Sequence, residues 1–145
     1  YYGDELGMVG GPDPDNRRPY PWFEQISQSQ EKLRSTVARF GKVRQCLGTD
    51  MDEDVAFPLT GVNQLAIARL KEGYPRLLVV LNRAEEFATM NLPMDLWKNG
   101  ASKHWIDQVS GASYYATADK LTIPLAANET KWLLLETDAC EGMSR

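Results

Sequence analysis

Asp13-Pro14-Asp15-Asn16-Arg17 is the stretch of this sequence whose residue types and spacing suit chemistry. Asp is a good helix cap, Pro14 suits a first helical position, and the step from Asp13 to Arg17 is one helical turn, so the two side chains share a face. A carboxylate beside a guanidinium offers acceptors and donors matched to the vicinal hydroxyls of a sugar. The same residues also fit a capped turn closed by a local ion pair, and the spacing alone leaves both readings open. Tyr20 and Trp22 follow shortly after, with rings able either to stack on a sugar or to anchor the loop by packing.

Two kinds of element must hold these residues in place. Tyr1-Tyr2-Gly3-Asp4-Glu5 reads as the end of a buried strand entering a Gly-Asp turn, and it begins without an initiator Met. The expectation is therefore a C-terminal piece of a longer protein. Ser27-Gln28-Ser29-Gln30 then forms a capping box that predicts a helix start. Leu33, Val37, Phe40 and Leu47 recur at helical spacing as one apolar stripe until Gly48 ends the run, with Gly41 as a candidate kink.

The composition changes after Gly48. Asp50, Asp52, Glu53 and Asp54 predict an acidic linker over 49–61, and 62–138 then reads as short strands punctuated by turns, the pattern of an antiparallel β-sandwich. Strands are predicted at Asn63–Leu70, Arg76–Asn82, Phe87–Leu92, Trp105–Val109, Tyr114–Thr117, Leu121–Leu125 and Lys131–Glu136, the first two joined by a hairpin at Lys71–Pro75. Leu77 to Leu81 is apolar on both faces and predicts a central strand, whereas Pro124 suits an edge or a bulge. Residues 139–145 read as a tail.

The chain has 145 residues, 43% of them hydrophobic, enough for a real core. A net charge of −4 argues against a nucleic-acid surface, and the longest aliphatic run is far short of the roughly 20 residues of a membrane helix. Cys46 and Cys140, two and far apart, read as free thiols. Asp50, Asp52 and Asp54 lack the Gly and closing Glu of a calcium loop, and lone His104 has no zinc or triad partners nearby, so no metal or cofactor is expected. Asn128-Glu129-Thr130 is a glycosylation sequon by pattern and most simply a turn.

Tyr1-Tyr2-Gly3-Asp4-Glu5, Gly7-Met8, Gly10-Gly11 and Asp13-Pro14-Asp15-Asn16-Arg17, in that order, resemble the eighth-strand exit of the α-amylase family of glycoside hydrolases, family 13. Arg76 to Asn82, Asp107 with Ser110-Gly111, and Trp132 to Leu135 resemble that family's C-terminal domain. The resemblance implies a mainly β chain with an N-terminal α segment: residues 1–48 as the remnant of the last β/α unit of a (β/α)8 barrel, followed by the sandwich. Active sites of such barrels lie at the C-terminal ends of the strands, so the opening loop would face substrate.

The resemblance further implies that Asp13 and Arg17 bind glucose units on the non-reducing side of the scissile bond, with Tyr20 and Trp22 as candidate stacking residues. The substrate class would be an α-glucan or maltooligosaccharide, and the rest of the barrel would be the chain's structural partner. Retaining glycosidases need two carboxyl groups about 5–5.5 Å apart. In the family these follow the fourth and fifth strands, and a third essential Asp follows an Asn-His; His104 is followed by Trp105, so the resemblance carries no catalytic residue onto this chain. A second class of function fits the sandwich alone. Trp97, Trp105, Tyr114 and Tyr115 could make it a non-catalytic carbohydrate-binding or protein-interaction module, although aromatics on strands are usually core.

Overall fold

The computed structural model describes residues 2–22, 25–48, 54–94 and 104–138. It divides into two compact units, Tyr1–Arg44 and Gln45–Arg145.

The main element of the first unit is helix α1, Gln28–Leu47, which lies in that unit as far as Arg44. It starts where the capping box predicts: the Ser27 N–H donates to Gln30 Oε1 at 2.9 Å and the Gln30 N–H donates to Ser27 Oγ at 3.3 Å. It ends at Gly48, which takes a left-handed φ of 78°. The apolar stripe differs from its expected form. Leu33 and Val37 are 39% and 42% exposed, whereas Val43 is fully buried and Leu47 nearly so. Val43 belongs to the same helical row, three residues after Phe40 and four before Leu47, and it stands among Lys42, Arg44 and Gln45, which mask it in the sequence.

The helix runs through Gly41 without a break, and a Cβ added there would meet nothing within 4 Å. Gly41→Ala therefore removes backbone freedom from the unfolded chain at no steric cost. The expected gain is about 0.5–1 kcal/mol, read as a higher urea midpoint at unchanged slope. An unchanged or lower midpoint would show that the helix needs glycine at this place.

The second unit is built from eight strands: β1 Asp54–Thr60, β2 Gln64–Lys71, β3 Tyr74–Asn82, β4 Ala88–Pro93, β5 His104–Asp107, β6 Ser113–Tyr115, β7 Lys120–Leu125 and β8 Thr130–Leu135. Six form an antiparallel sheet in the order β1-β2-β3-β8-β5-β6, and β4 pairs with β7 in a two-stranded sheet. Strand β7 alternates strictly: Leu121, Ile123 and Leu125 are buried, and Lys120, Thr122 and Pro124 are exposed. These residues join Met90 and Leu92 of β4 in one core cluster with Ala66, Ala68, Leu78, Val80, Trp105, Leu133 and Leu135 of the larger sheet. Two sheets facing each other across a shared apolar layer make the expected sandwich.

All seven expected strands are present within a residue or two of their predicted ends, and β3 is central. The hairpin between β2 and β3 turns at Glu72 and Gly73, both with positive φ, 54° and 82°, the two-residue turn that matches the twist of the strands. Pro124 lies in the two-stranded sheet, where among the described residues each strand pairs on one side only.

Two expectations need correction. The stretch 49–61 is not simply a linker, because Asp54–Thr60 is strand β1, an edge strand with a register break between Ala56 and Leu59. Pro58 falls inside that break, where a missing N–H costs the ladder nothing, and the exposure of Val55 and Phe57 on one side hides the usual alternation. Cys46 is not a free thiol; it is disulfide-bonded at the exposed end of α1. Separation along the chain says nothing about distance in the fold, and Cys140, the only other cysteine, lies outside the described residues, as do the expected tail 139–145 and Trp97.

The buried ammonium group of the sandwich is paired. Lys131 is 7% exposed, with Nζ 2.6 Å from Glu129 Oε1 and 5.9 Å from the centre of the Tyr114 ring. Glu129 also accepts from the Ala126 N–H, in a turn where Asn128 takes a left-handed φ of 53°. The sequon thus forms the β7–β8 turn, as expected.

Candidate functional site

The site is the loop from Tyr2 to Trp22, and its shape follows from two carboxylates that fold the chain onto itself. Glu5 sits in a short 3₁₀ turn, Asp4–Leu6, and accepts the Gly3 N–H at 3.0 Å. Its own backbone N–H, the Tyr20 hydroxyl and the Gly3 N–H hold the Glu5 carboxylate below its usual range, and the same contact with Glu5 raises the Tyr20 phenol. Glu5 is therefore a structural hydrogen-bonder, and it ties the start of the loop to its far end.

Asp15 is the second carboxylate. Its Oδ1 and Oδ2 accept from Arg18 Nε and Nη2 at 2.8 and 2.7 Å, a two-pronged contact, and Oδ2 also accepts the Gly11 N–H at 2.8 Å. The Arg18 guanidinium and then the Gly11 N–H hold Asp15 below the usual carboxylate range. Gly10-Gly11 is explained by the same packing. A Cβ on Gly10 would come within 3.0 Å of the Asn16 backbone, and one on Gly11 within 2.9 Å of Asp15 Oδ2. The Tyr2 hydroxyl donates to the Arg18 carbonyl at 2.8 Å and closes the loop.

Asp13 and Arg17 are brought together, as their spacing predicts, with Arg17 Nε 2.9 Å from Asp13 Oδ1. Both stay open to solvent, at 72% for the Arg17 side chain and 60% for that of Asp13. The local frame differs from the expected one. The helical turn is a 3₁₀ turn over Asp15–Arg17, Pro14 occupies the cap position after a cis Asp13-Pro14 bond, and no side chain caps it. Asp13 is thus not a helix cap, and its carboxylate is engaged only by Arg17 among the hydrogen bonds and ion pairs described.

Tyr20 is half-buried and Trp22 is 71% exposed, their rings meeting edge to face at 5.9 Å between centroids. Leu6, Tyr20, Pro21, Trp22, Ile26 and Arg34 line a shallow, mostly apolar cleft beside them. Asp15 and Arg18 were missed in the sequence because Asp15 has two neighbouring arginines to choose from, and only the path of the chain selects Arg18.

The aromatic surface considered on the sandwich is not assembled as such. Trp105 is completely buried in the core and Tyr114 is half-buried. Tyr115 alone of the described set is well exposed, at 69%, with its ring stacked 4.3 Å from that of His104. His104 Nδ1 lies 3.0 Å from Glu136 Oε2. Among the described residues no three His, Cys, Asp or Glu side chains converge as a metal site.

A loop, a capped helix and a two-sheet sandwich, in that order along the chain, can be set beside known proteins. The likeness holds in sequence and in fold. The chain is 29% identical over 127 residues to a cyclomaltodextrinase of Geobacillus thermopakistaniensis, covering 86% of this chain and 20% of that protein. It therefore spans about a fifth of the length of that curated relative.

Among solved structures, an Anoxybacillus α-amylase superposes with a TM-score of 0.75 at 20% identity, over 93% of this chain and 28% of that one. An AmyP variant in complex with maltotriose superposes with a TM-score of 0.73 at 15% identity, over 94% of this chain and 31% of that one. No family model matches the chain. Over most of its length the chain is thus similar in sequence to part of a cyclomaltodextrinase and in fold to the C-terminal part of α-amylases.

Proposed function

We propose that the protein carrying this chain cleaves α-glucosidic bonds in an α-glucan or maltooligosaccharide, with its catalytic carboxylates on the rest of the barrel. This chain supplies a substrate-contacting loop and a stabilising sandwich. The observation that carries the reading is the Asp13–Arg17 pair, 2.9 Å apart and largely exposed, on a loop where Glu5, Asp15 and Arg18 are engaged in holding its shape. A pair in that state is poised to exchange its mutual contact for sugar hydroxyls, which match a carboxylate's acceptors and a guanidinium's donors. Trp22 offers an exposed ring for a sugar face, and Tyr20 supports that ring from the side.

Neither Asp13 nor Arg17 transfers a proton in this scheme. Each holds the substrate away from the reacting carbon, and such contacts count in the rate when they align the bond to be broken. Arg17→Lys in the complete enzyme keeps the charge and loses the planar fork of donors. The expected result is a fall in kcat/KM on maltohexaose of roughly 10- to 150-fold, the equivalent of about 1.5–3 kcal/mol for hydrogen bonds to a charged group. Tm should hardly move, because an ion pair this exposed contributes little to stability. Asp13→Ala should behave likewise, since it removes no helix cap. An unchanged kcat/KM, or a loss that tracks unfolding, would return the pair to a turn with a local ion pair.

A further inference from the structure

We infer that Asp15 and Arg18 are positioning residues for substrate, a brace that holds Asp13 and Arg17 in the geometry in which they meet sugar; this rests on the reading of Asp13 and Arg17 given above. The loop carries two interleaved ion pairs of opposite character. Asp13 with Arg17 is joined by one contact and is 60% and 72% exposed. Asp15 with Arg18 is joined by two parallel contacts and is further tied at both ends, Asp15 accepting the Gly11 N–H and the Arg18 carbonyl accepting the Tyr2 hydroxyl.

The brace therefore ties together residues 2, 11, 15 and 18, Gly11 and Arg18 through backbone groups and Tyr2 and Asp15 through side chains. Asp13 lies between the second and third of these, and Arg17 lies immediately before the fourth. With those points held, neither side chain has to order its own backbone when substrate arrives, and that ordering cost is removed from binding. The fork geometry is essential to this role. Only a guanidinium can engage both oxygens of one carboxylate in parallel, so a lysine at position 18 keeps the charge and releases the lock.

The test is a double-mutant cycle on the complete enzyme with maltohexaose, comparing wild type, Arg17→Lys, Arg18→Lys and the double variant, with Tm recorded for each. The brace predicts that Arg18→Lys lowers kcat/KM about 10-fold in the wild-type background and by a clearly smaller factor when Arg17 is already Lys, because one of the two residues being positioned has then lost its fork of donors. Tm should stay within about 2 °C of wild type, as expected for exposed groups. Asp15→Asn serves as the second variant and should reproduce the pattern, since an amide cannot accept from both prongs of Arg18.

The possible results separate cleanly. A fall that is the same in both backgrounds, or that follows Tm, assigns Asp15 and Arg18 to loop stability alone and overturns the proposal. No fall for Arg18→Lys beside a clear one for Arg17→Lys also overturns the brace and leaves the sugar-binding reading standing. No fall for Arg17→Lys removes that reading itself, and the brace with it.

Discussion

Trp105→Ala should lower the unfolding free energy by about 3–5 kcal/mol, the largest single loss expected from any side chain in the sandwich. Trp105 is the largest fully buried side chain among the described residues, with no exposure at all, and its strand β5 lies between β8 and β6 in the six-stranded sheet. Its backbone neighbours are Leu135 on one side and Tyr114 on the other. Truncation removes the apolar area of an indole and leaves a cavity that the paired strands cannot collapse into, because their ladders hold them apart.

Against a typical total of 5–15 kcal/mol, such a loss threatens folding at growth temperature. Thermal unfolding should show a fall in Tm on the order of 10–20 °C, and Trp105→Phe should recover part of it by refilling the space. A fall of less than about 3 °C would mean that the indole is not the centre of this core.

Asp107→Ala should be the most damaging polar substitution, costing about 3–4 kcal/mol. Asp107 is only 2% exposed. Its Oδ1 accepts the N–H groups of Val109 at 3.1 Å and Trp132 at 3.2 Å, and its Oδ2 accepts the N–H of Ser110 at 3.2 Å and the Ser110 hydroxyl at 2.5 Å. One carboxylate thus shapes the β5–β6 turn and fastens that turn to β8. Alanine removes the acceptor shared by donors of two segments, of which the Val109 and Trp132 N–H groups are on half-buried residues, and donors left unsatisfied away from water are expensive.

Asp107→Asn separates charge from shape. It retains one acceptor oxygen and loses the other, so it should cost about half as much as alanine, measured by urea unfolding. Amide exchange at Val109, Ser110 and Trp132 should quicken in both variants. If Asp107→Asn proves as stable as wild type, the ionised acceptor contributes nothing beyond its geometry, and if Asp107→Ala costs under about 1 kcal/mol the turn is held by its backbone contacts alone.

What could be read from the sequence was, in each case, a matter of near neighbours. Ser27 and Gln30 cap α1 because three residues separate them, Glu72-Gly73 turns the β2–β3 hairpin because two residues suffice, and Asp13 meets Arg17 one turn on. Leu77 to Leu81 announces a central strand because both its faces must be covered. These outcomes rest on local geometry and on composition within a few residues, which a single sequence contains in full.

The remainder depended on groups that meet only when the chain is folded. Tyr2 reaches Arg18, Tyr20 reaches Glu5, and Asp107 reaches Trp132, and nothing near either partner in the sequence marks the pairing. Trp105 could be a surface platform or a core residue until its strand is placed in the sheet. Strand β1 looks like linker because an edge strand needs neither full alternation nor every N–H, and Cys46 looks like a free thiol because sequence separation carries no distance. The candidate site shows the same division. The exposed pair Asp13 and Arg17 was legible from a one-turn spacing, while the brace of Asp15 and Arg18 was decided by tertiary structure, because two adjacent arginines compete for one carboxylate and the closed path of the loop, fastened at Tyr2 and Gly11, presents only Arg18 with both prongs in line.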